Sequence, residues 1–197
     1  MLYALLGDLH SNIKNTKKVL AHIAQAAPTA TIIGLGDLYE CTIGKKKAYS
    51  LTETIPLKEA AIIKKKFEQL LMFPSIIGNQ ELRIAKVTGE ARFLDYPEQI
   101  EIEQATLIHG HQFEFDWANN YALVAHPPMN TPLVFFGHSH APAIYIEKKR
   151  HSIHYNKPID VSKGQYFINV GAVTVSCDWL LYDSEHMTIT FMQANLD

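Results

Sequence analysis

The chain is short of several things, and each shortage removes a class of explanation. Two cysteines, Cys41 and Cys177, provide neither a disulfide framework nor a thiolate zinc site. Positive charge is not in excess: 18 lysines and arginines against 20 acidic residues leave a formal −2, which does not support bulk-charge binding to nucleic acid or a membrane surface. The basic groups Lys45–Lys47, Lys64–Lys66 and Lys148–Arg150 are short and read as solvated loops and helix faces. No apolar run reaches spanning length, and Leu2 to Leu6 is interrupted by Gly7, Asp8 and His10 too soon for a signal peptide. A cytoplasmic location with no membrane partner is the expectation. Linkers, repeats and low-complexity segments are also missing, so one domain over 1–197 is expected, long enough to bury a substantial core.

What is present is a recurring pattern of apolar run, glycine and polar residue. Met1 to Gly7 reads as a buried strand running into Asp8-Leu9-His10. Ser11 or Asn12 would cap the helix that follows, whose apolar positions are Ile13, Val19, Leu20, Ile23 and Ala24. Thr31 to Gly36 repeats the pattern and ends in Asp37, and residues 38–56 read as an irregular excursion. Ala60, Ile63, Phe67, Leu70 and Leu71 predict a helix over 57–72, with Thr54 as its N-cap. Pro74 to Gly78 reads as a third short strand delivering Asn79, followed by a helix from Gln80 to about Lys86 and a helical turn near 90–94. The second half is mostly β. It holds an alternating strand at 99–103, a strand at 105–108 leading to His109-Gly110-His111, and the apolar run 133–136 leading to Gly137-His138-Ser139-His140. A hairpin of 144–146 with 152–155 follows, then strands at 166–168, 179–182 and 187–192. Residues 113–131, with Trp117, Tyr121 and His126, read as a long functional loop. Strands alternating with helices, then mostly strands, predict an α/β fold of two packed sheets with helices outside.

The histidine pair sharpens this into chemistry. On an extended backbone His138 and His140 share a face roughly 6–7 Å apart, too far to grip one ion and suited to one histidine on each of two. Asp8, His10, Asp37, Asn79, His109, His138 and His140 all follow strand-like segments, and open α/β sheets gather their ligands at the carboxyl ends of strands. Imidazole mixed with carboxylate suits Mn²⁺, Fe, Zn²⁺, Co²⁺ or Ni²⁺ without selecting among them.

The ordered blocks Asp8-Leu-His10, Gly36-Asp37, Gly78-Asn79, His109-Gly110 and Gly137-His138-Ser-His140 resemble the calcineurin-like metallophosphoesterase family. Asn169-Val-Gly171-Ala172 and the closing hairpin resemble the tail of its smaller bacterial and archaeal phosphodiesterase members. The resemblance spans nearly the whole chain. It implies a four-layer α/β/β/α sandwich of two mixed β-sheets flanked by helices, and a centre of two divalent ions with no organic cofactor. Asp8, His10 and His140 would hold the first ion, and Asn79, His109 and His138 the second. Asp37 would bridge them, one oxygen to each. Two metals about 3.5–4 Å apart share a water, lower its pKa and clamp an in-line displacement at phosphorus, with the hydroxide between them as nucleophile. Their charge serves a small phosphoester substrate without a basic patch. Asn12, at the helix start, could meet a phosphate oxygen.

One departure is informative. The family's third block commonly carries a histidine after the asparagine, taken to protonate the leaving group, whereas this chain reads Gly78-Asn79-Gln80-Glu81. Glutamine cannot act as a general acid, a contribution of about 10²–10⁴-fold where it operates. Small phosphodiesterase members often lack that histidine too, which favours diesters over alkyl monoesters. His111 or His126 could stand in as proton donor. Asp37 is followed by Leu38-Tyr39-Glu40, without the arginine-bearing motif of the Ser/Thr phosphatase branch, which argues against a protein phosphatase. Two other readings stand beside the phosphodiesterase: a scaffold, like the retromer subunit of this family, and a nucleotide pyrophosphohydrolase or nuclease. A full set of seven ligands has no use in a pure scaffold, so the enzyme is favoured. Homo-oligomerisation stays open.

Overall fold

Alternating side chains along the buried strands face two different cores, and this alternation sets the layers. The computed structural model describes residues 1–119 and 121–194. Its first half runs β1 (Leu2–Leu6), α1 (Ile13–Ala26), β2 (Thr31–Gly34), β3 (Glu40–Cys41), α2 (Lys45–Ser50), α3 (Leu57–Ala60), β4 (Ala61–Ile62), α4 (Lys65–Glu68), α5 (Asn79–Thr88) and a 3-10 turn, Ala91–Leu94. The second half is β5 (Gln99–Ile102), β6 (Ala105–Ile108), β7 (Glu114–Asp116), β8 (Ala122–Ala125), β9 (Leu133–Phe136), β10 (Ala143–Ile146), β11 (Lys149–His151), β12 (Ile159–Asp160) and β13 (Tyr166–Asn169). It closes with α6 (Val173–Ser176), β14 (Asp178–Asp183) and β15 (Thr188–Gln193).

One mixed sheet has the order β12-β15-β14-β1-β2 and the other β11-β10-β13-β9-β6-β5. The parallel pairs are β1 with β2, at one end of the first sheet, and β9 with both β6 and β13, inside the second. Between the sheets Leu5, Leu180 and Tyr182 meet Leu107, Phe135 and Ile168 in a dry layer. The other faces of the same strands look outward. Ala4, Leu6 and Trp179 pack on Val19 and Ile23 of α1 and Ile84 of α5. Val134 and Phe136 face away from the first sheet and are covered by Phe113, Phe115 and Leu123 of the β7–β8 hairpin region. The expected α/β architecture of two mixed sheets with helices is therefore the one observed. Among the described residues no helix is long and apolar enough to cross a membrane.

Several local expectations are corrected. The continuous helix over 57–72 breaks into α3, β4 and α4, and Pro56 rather than Thr54 occupies the N-cap. The β-branched Ile62 and Ile63 suit extended backbone. Tertiary partners then decide: β4 pairs with β3, and the Ser11 hydroxyl donates to the Ile62 carbonyl at 2.5 Å. The excursion at 38–56 contains β3 and α2. The aromatic stretch 113–131 is organised by the β7–β8 hairpin, with Asn120 outside the described residues. Pro74 to Gly78 is extended but joins the sheet only through a bridge between Ser75 and Gly34. The hairpin partner of β10 is β11, earlier than the expected 152–155.

Phe135 is wholly buried between the sheets. Phe135→Ala is expected to lower the free energy of unfolding by about 3–5 kcal/mol through lost transfer energy and a residual cavity. Urea denaturation of the two proteins measures this, and a loss below about 1 kcal/mol would mean that the inter-sheet layer is not the main core.

Candidate metal centre

Five chain segments end at one edge, and there the backbone leaves the β region in a concerted way. Asp8, His10, Asp37, His138 and His140 all have positive φ, between 47° and 65°, a region that non-glycine residues rarely occupy. Such strain persists where surrounding structure over-determines it, and it clusters at functional sites. Glycines make the close approach of these turns feasible: a Cβ on Gly137 would collide with Asp8 Oδ2, and one on Gly78 with the backbone and side chain of Asp37.

These turns gather the expected ligand side chains into two adjoining groups, Asp8 with His10 and His140, and Asp37 with His109 and His138. In the first, His10 Nε2 lies 3.2 Å from His140 Nε2, which lies 3.2 Å from Asp8 Oδ1. In the second, His109 Nε2 is 3.2 Å from Asn79 Oδ1 and 3.4 Å from Asp37 Oδ2. Ligand atoms about 2.1 Å from one ion sit roughly 3–3.4 Å from one another, so these spacings are those of coordination polyhedra. Asp37 Oδ2 also lies 3.8 Å from His10 Nε2, so a single oxygen faces both groups. Asp37 Oδ1 instead accepts the Gln80 N–H at 2.8 Å, which differs from the expected use of one oxygen for each ion.

The donor chemistry fits cations. Asp8 Oδ1 is buried and has no hydrogen-bond partner in the protein, although burying an unpaired carboxylate oxygen is costly. The histidine tautomers point the same way. His10 Nδ1 donates to Glu40 Oε2 at 2.6 Å and His109 Nδ1 donates to the Leu35 carbonyl at 2.7 Å, leaving both Nε2 atoms turned inward. Burial alone would lower these imidazoles, but Asp8 and Asp37 outweigh it and hold both up at about 9. The histidines in turn hold both carboxyls below the usual range despite their burial. Burial, with His109 close by, pushes His138 and His111 down to about 4, so both stay neutral near pH 7.

His138 and His140 reach different groups, as expected, but the reason is different. They are not on extended backbone; left-handed φ values of 65° and 59° and a bond from Ser139 N–H to the Gly137 carbonyl splay them apart. His111 lies at the edge of the centre, its ring 5.5 Å from that of His109. His126 does not join it and stacks on Phe167 at 4.3 Å, on the outer face of the second sheet. Asn12 caps α1 by accepting the Asn15 N–H at 3.0 Å.

Three supporting residues escaped the sequence reading. Glu81 is wholly buried and accepts backbone N–H groups from Asp37, Gly78 and Tyr39 at 2.9–3.0 Å, binding the second and third turns together. Burial and the Asp37 charge push its carboxyl up to about 7. Asn169 donates to the Gly137 carbonyl at 2.5 Å and to Ser139 Oγ at 2.8 Å, and accepts from Gly171 N–H at 2.9 Å, so it braces the histidine turn. Glu40 orients His10. Asn169 stood in a noted motif and Glu81 in the third block, which were the available signals. Glu40 had none, because its approach depends on the unforeseen β3–β4 pairing.

The profile of the calcineurin-like phosphoesterase superfamily domain matches residues 1–190. A metallophosphoesterase from Sphaerobacter thermophilus superposes with a TM-score of 0.69 at 20% identity, covering 100% of this chain and 90% of that one. A protein of Pyrococcus horikoshii OT3 described as hypothetical gives 0.55 at 10% identity, covering 100% and 88%. No curated protein matches the sequence. The chain belongs to the calcineurin-like phosphoesterase superfamily.

Two outcomes follow from the geometry. An ion must displace protons from His10 and His109, so uptake of Mn²⁺ or Zn²⁺ is expected to release protons and to strengthen as pH rises toward about 9. Calorimetry in buffers of different ionisation enthalpy reads this, and affinity that is flat with pH would contradict it. Asn169→Ala leaves buried partners unpaired and frees the histidine turn. It is expected to weaken metal affinity about 10–100-fold, as loss of an outer-shell contact does.

Proposed function

We propose that this member of the calcineurin-like phosphoesterase superfamily is a metal-dependent phosphodiesterase that uses two divalent ions. The observation that carries this is the pair of adjoining donor groups sharing Asp37 Oδ2, with ligand-atom spacings of 3.2–3.8 Å. Asp8, His10 and His140 would hold one ion, Asn79, His109 and His138 the other, and Asp37 would serve both. When bound, the ions supply Lewis acidity, a nucleophile at neutral pH and charge for the phosphate. A scaffold has no use for such a set.

The protein's own residues then account for the rest. Glu40 and the Leu35 carbonyl fix the tautomers of His10 and His109, Glu81 fixes the turn that carries Asp37, and Asn169 fixes the turn that carries His138 and His140. His111, held neutral, can hydrogen-bond a phosphate oxygen or the leaving group from the edge of the centre. Gln80 holds no proton to give, and its Oε1 accepts from the Cys41 N–H at 3.2 Å. Leaving groups that need no protonation are therefore favoured, which places activated diesters above alkyl monoesters.

Bis-p-nitrophenyl phosphate is expected to turn over with Mn²⁺, and EDTA to abolish the reaction. Asp37→Asn and His138→Ala should each lose at least about 10²-fold in kcat/KM, the range for a displaced catalytic geometry. Protein that binds ions but hydrolyses no phosphoester with any divalent metal would sink the reading. Gln80→His is expected to raise alkyl monoester hydrolysis relative to diester hydrolysis; an unchanged ratio would show that a missing acid is not what limits it.

A further inference from the structure

A cleft of about 380 Å³ opens beside the centre, bounded by α2 and α5, and its lining includes Asn79 and His138. Asn79, Arg83 and Lys86 are spaced by four and then three residues, which sets them along one face of α5. Arg83 therefore stands roughly 6 Å along the helix from Asn79, and Lys86 roughly 10 Å. On the opposite wall α2 presents Lys45 and Tyr49; the tyrosine is 69% exposed, with Lys86 Nζ 3.9 Å from its ring centre. No carboxylate among the described residues lines the cleft. Among the described residues no acid lies within ion-pair distance of Lys45, Arg83 or Lys86. In a chain of formal charge −2 this is a local reversal of sign. Cations on a solvated helix face account for Lys46 and Lys47. They do not account for a half-buried arginine in a concave lining, whose one hydrogen bond is a 3.5 Å contact to the Ile43 carbonyl.

Position 80 adds a second, independent line. An alkoxide leaving group needs a proton, and Gln80 cannot provide one; a phosphate leaving group departs as a stable anion and needs cations instead. We propose that the cleft is a second phosphate subsite and that the substrate is a nucleotide anhydride. Its outer phosphate lies along α5 against Arg83 and Lys86, with Lys45 opposite, and its base meets the exposed Tyr49 ring. This rests on the phosphoester-hydrolase reading of the metal centre. In the reaction a P–O bond forms from water and the anhydride P–O bond breaks. The leaving phosphate keeps the electron pair, and the water's surplus proton passes to solvent.

The test is a calorimetric titration of the Mn²⁺-loaded protein with α,β-methylene-ADP, which cannot be hydrolysed, and with AMP. The methylene analogue is expected to bind more tightly than AMP. That preference should shrink as ionic strength rises and fall about tenfold in the double variant Arg83→Gln/Lys86→Gln. No preference in the unaltered protein, or one that survives the double variant, overturns the subsite. Lys45→Gln, on the opposite wall, repeats the measurement if the double variant fails to fold. A turnover arm compares kcat/KM for ADP-ribose with that for bis-p-nitrophenyl phosphate, and the ratio should fall in the variants. Equal loss on both substrates would again overturn the subsite, and a preference for dithymidine monophosphate over the anhydride would assign the cleft to an oligonucleotide. Absence of all turnover would remove the hydrolase reading, while the binding titration would still decide the subsite.

Discussion

Three buried carboxylates that the fold brings together from distant parts of the chain, Asp8, Asp37 and Glu81, are the constraint on which the rest of the structure depends. Each costs several kcal/mol to take out of water, and together they repel. The protein answers each differently. Asp8 receives the His138 N–H and faces two imidazoles, Asp37 receives the Gln80 N–H and faces His109, and Glu81 is wrapped by three backbone N–H groups. Those donors fully occupy Glu81 but leave Asp8 Oδ1 with none. The shortfall is thus confined to the two groups of inward-facing nitrogens and oxygens, where divalent cations would complete the balance.

The same constraint explains the backbone. Asp8 and His10 must point into one small volume from adjacent turns of one loop, as must His138 and His140 from another. An extended chain would alternate faces or space the side chains too widely. Left-handed residues turn the chain tightly enough to converge, at a cost of order 1–3 kcal/mol each. That cost is borne by strands such as β6 and β9, whose residues are buried on both faces, and by bonds across the loops, from Asn169 to the Gly137 carbonyl and from the Asp37 N–H to Glu81. The bond network holds the turns in place of the residues' own preferences.

This division also decides what the sequence disclosed. The buried runs at 2–6 and 133–136 are unambiguous because long apolar stretches ending in glycine have few other homes, and the ligand residues stand directly after them. The fold class and the convergence of the seven side chains on one edge were therefore legible. The helix over 57–72 was not, because Ala60, Ile63 and Phe67 keep a helical spacing while they pack on the core from a broken backbone, and periodicity alone cannot separate the two cases. A partner strand distant in sequence decided the matter. Glu40 was illegible for the same reason. The splaying of His138 and His140 was illegible because positive φ at a non-glycine residue is imposed by surroundings and not by the residue itself.

Helix α5 shows how these levels meet. Its first residue, Asn79, stands 3.2 Å from His109, while Glu81 turns inward to hold the loop of Asp37. The face that continues from Asn79 carries Arg83 and Lys86 into the cleft. Gln80 lies about 100° around the helix from Asn79 and anchors β3 through the Cys41 N–H. A single helix thus combines one side chain at the edge of the donor groups, one buried support, one anchor and a row of cations. Each residue type follows from the direction in which its position points. On the proposed anhydride reading, position 80 needs no titrating side chain, because the cations along the neighbouring face would stabilise the departing anion. In that light the glutamine is not a damaged acid. Under that proposal it is compatible with a departing group that already carries its own charge.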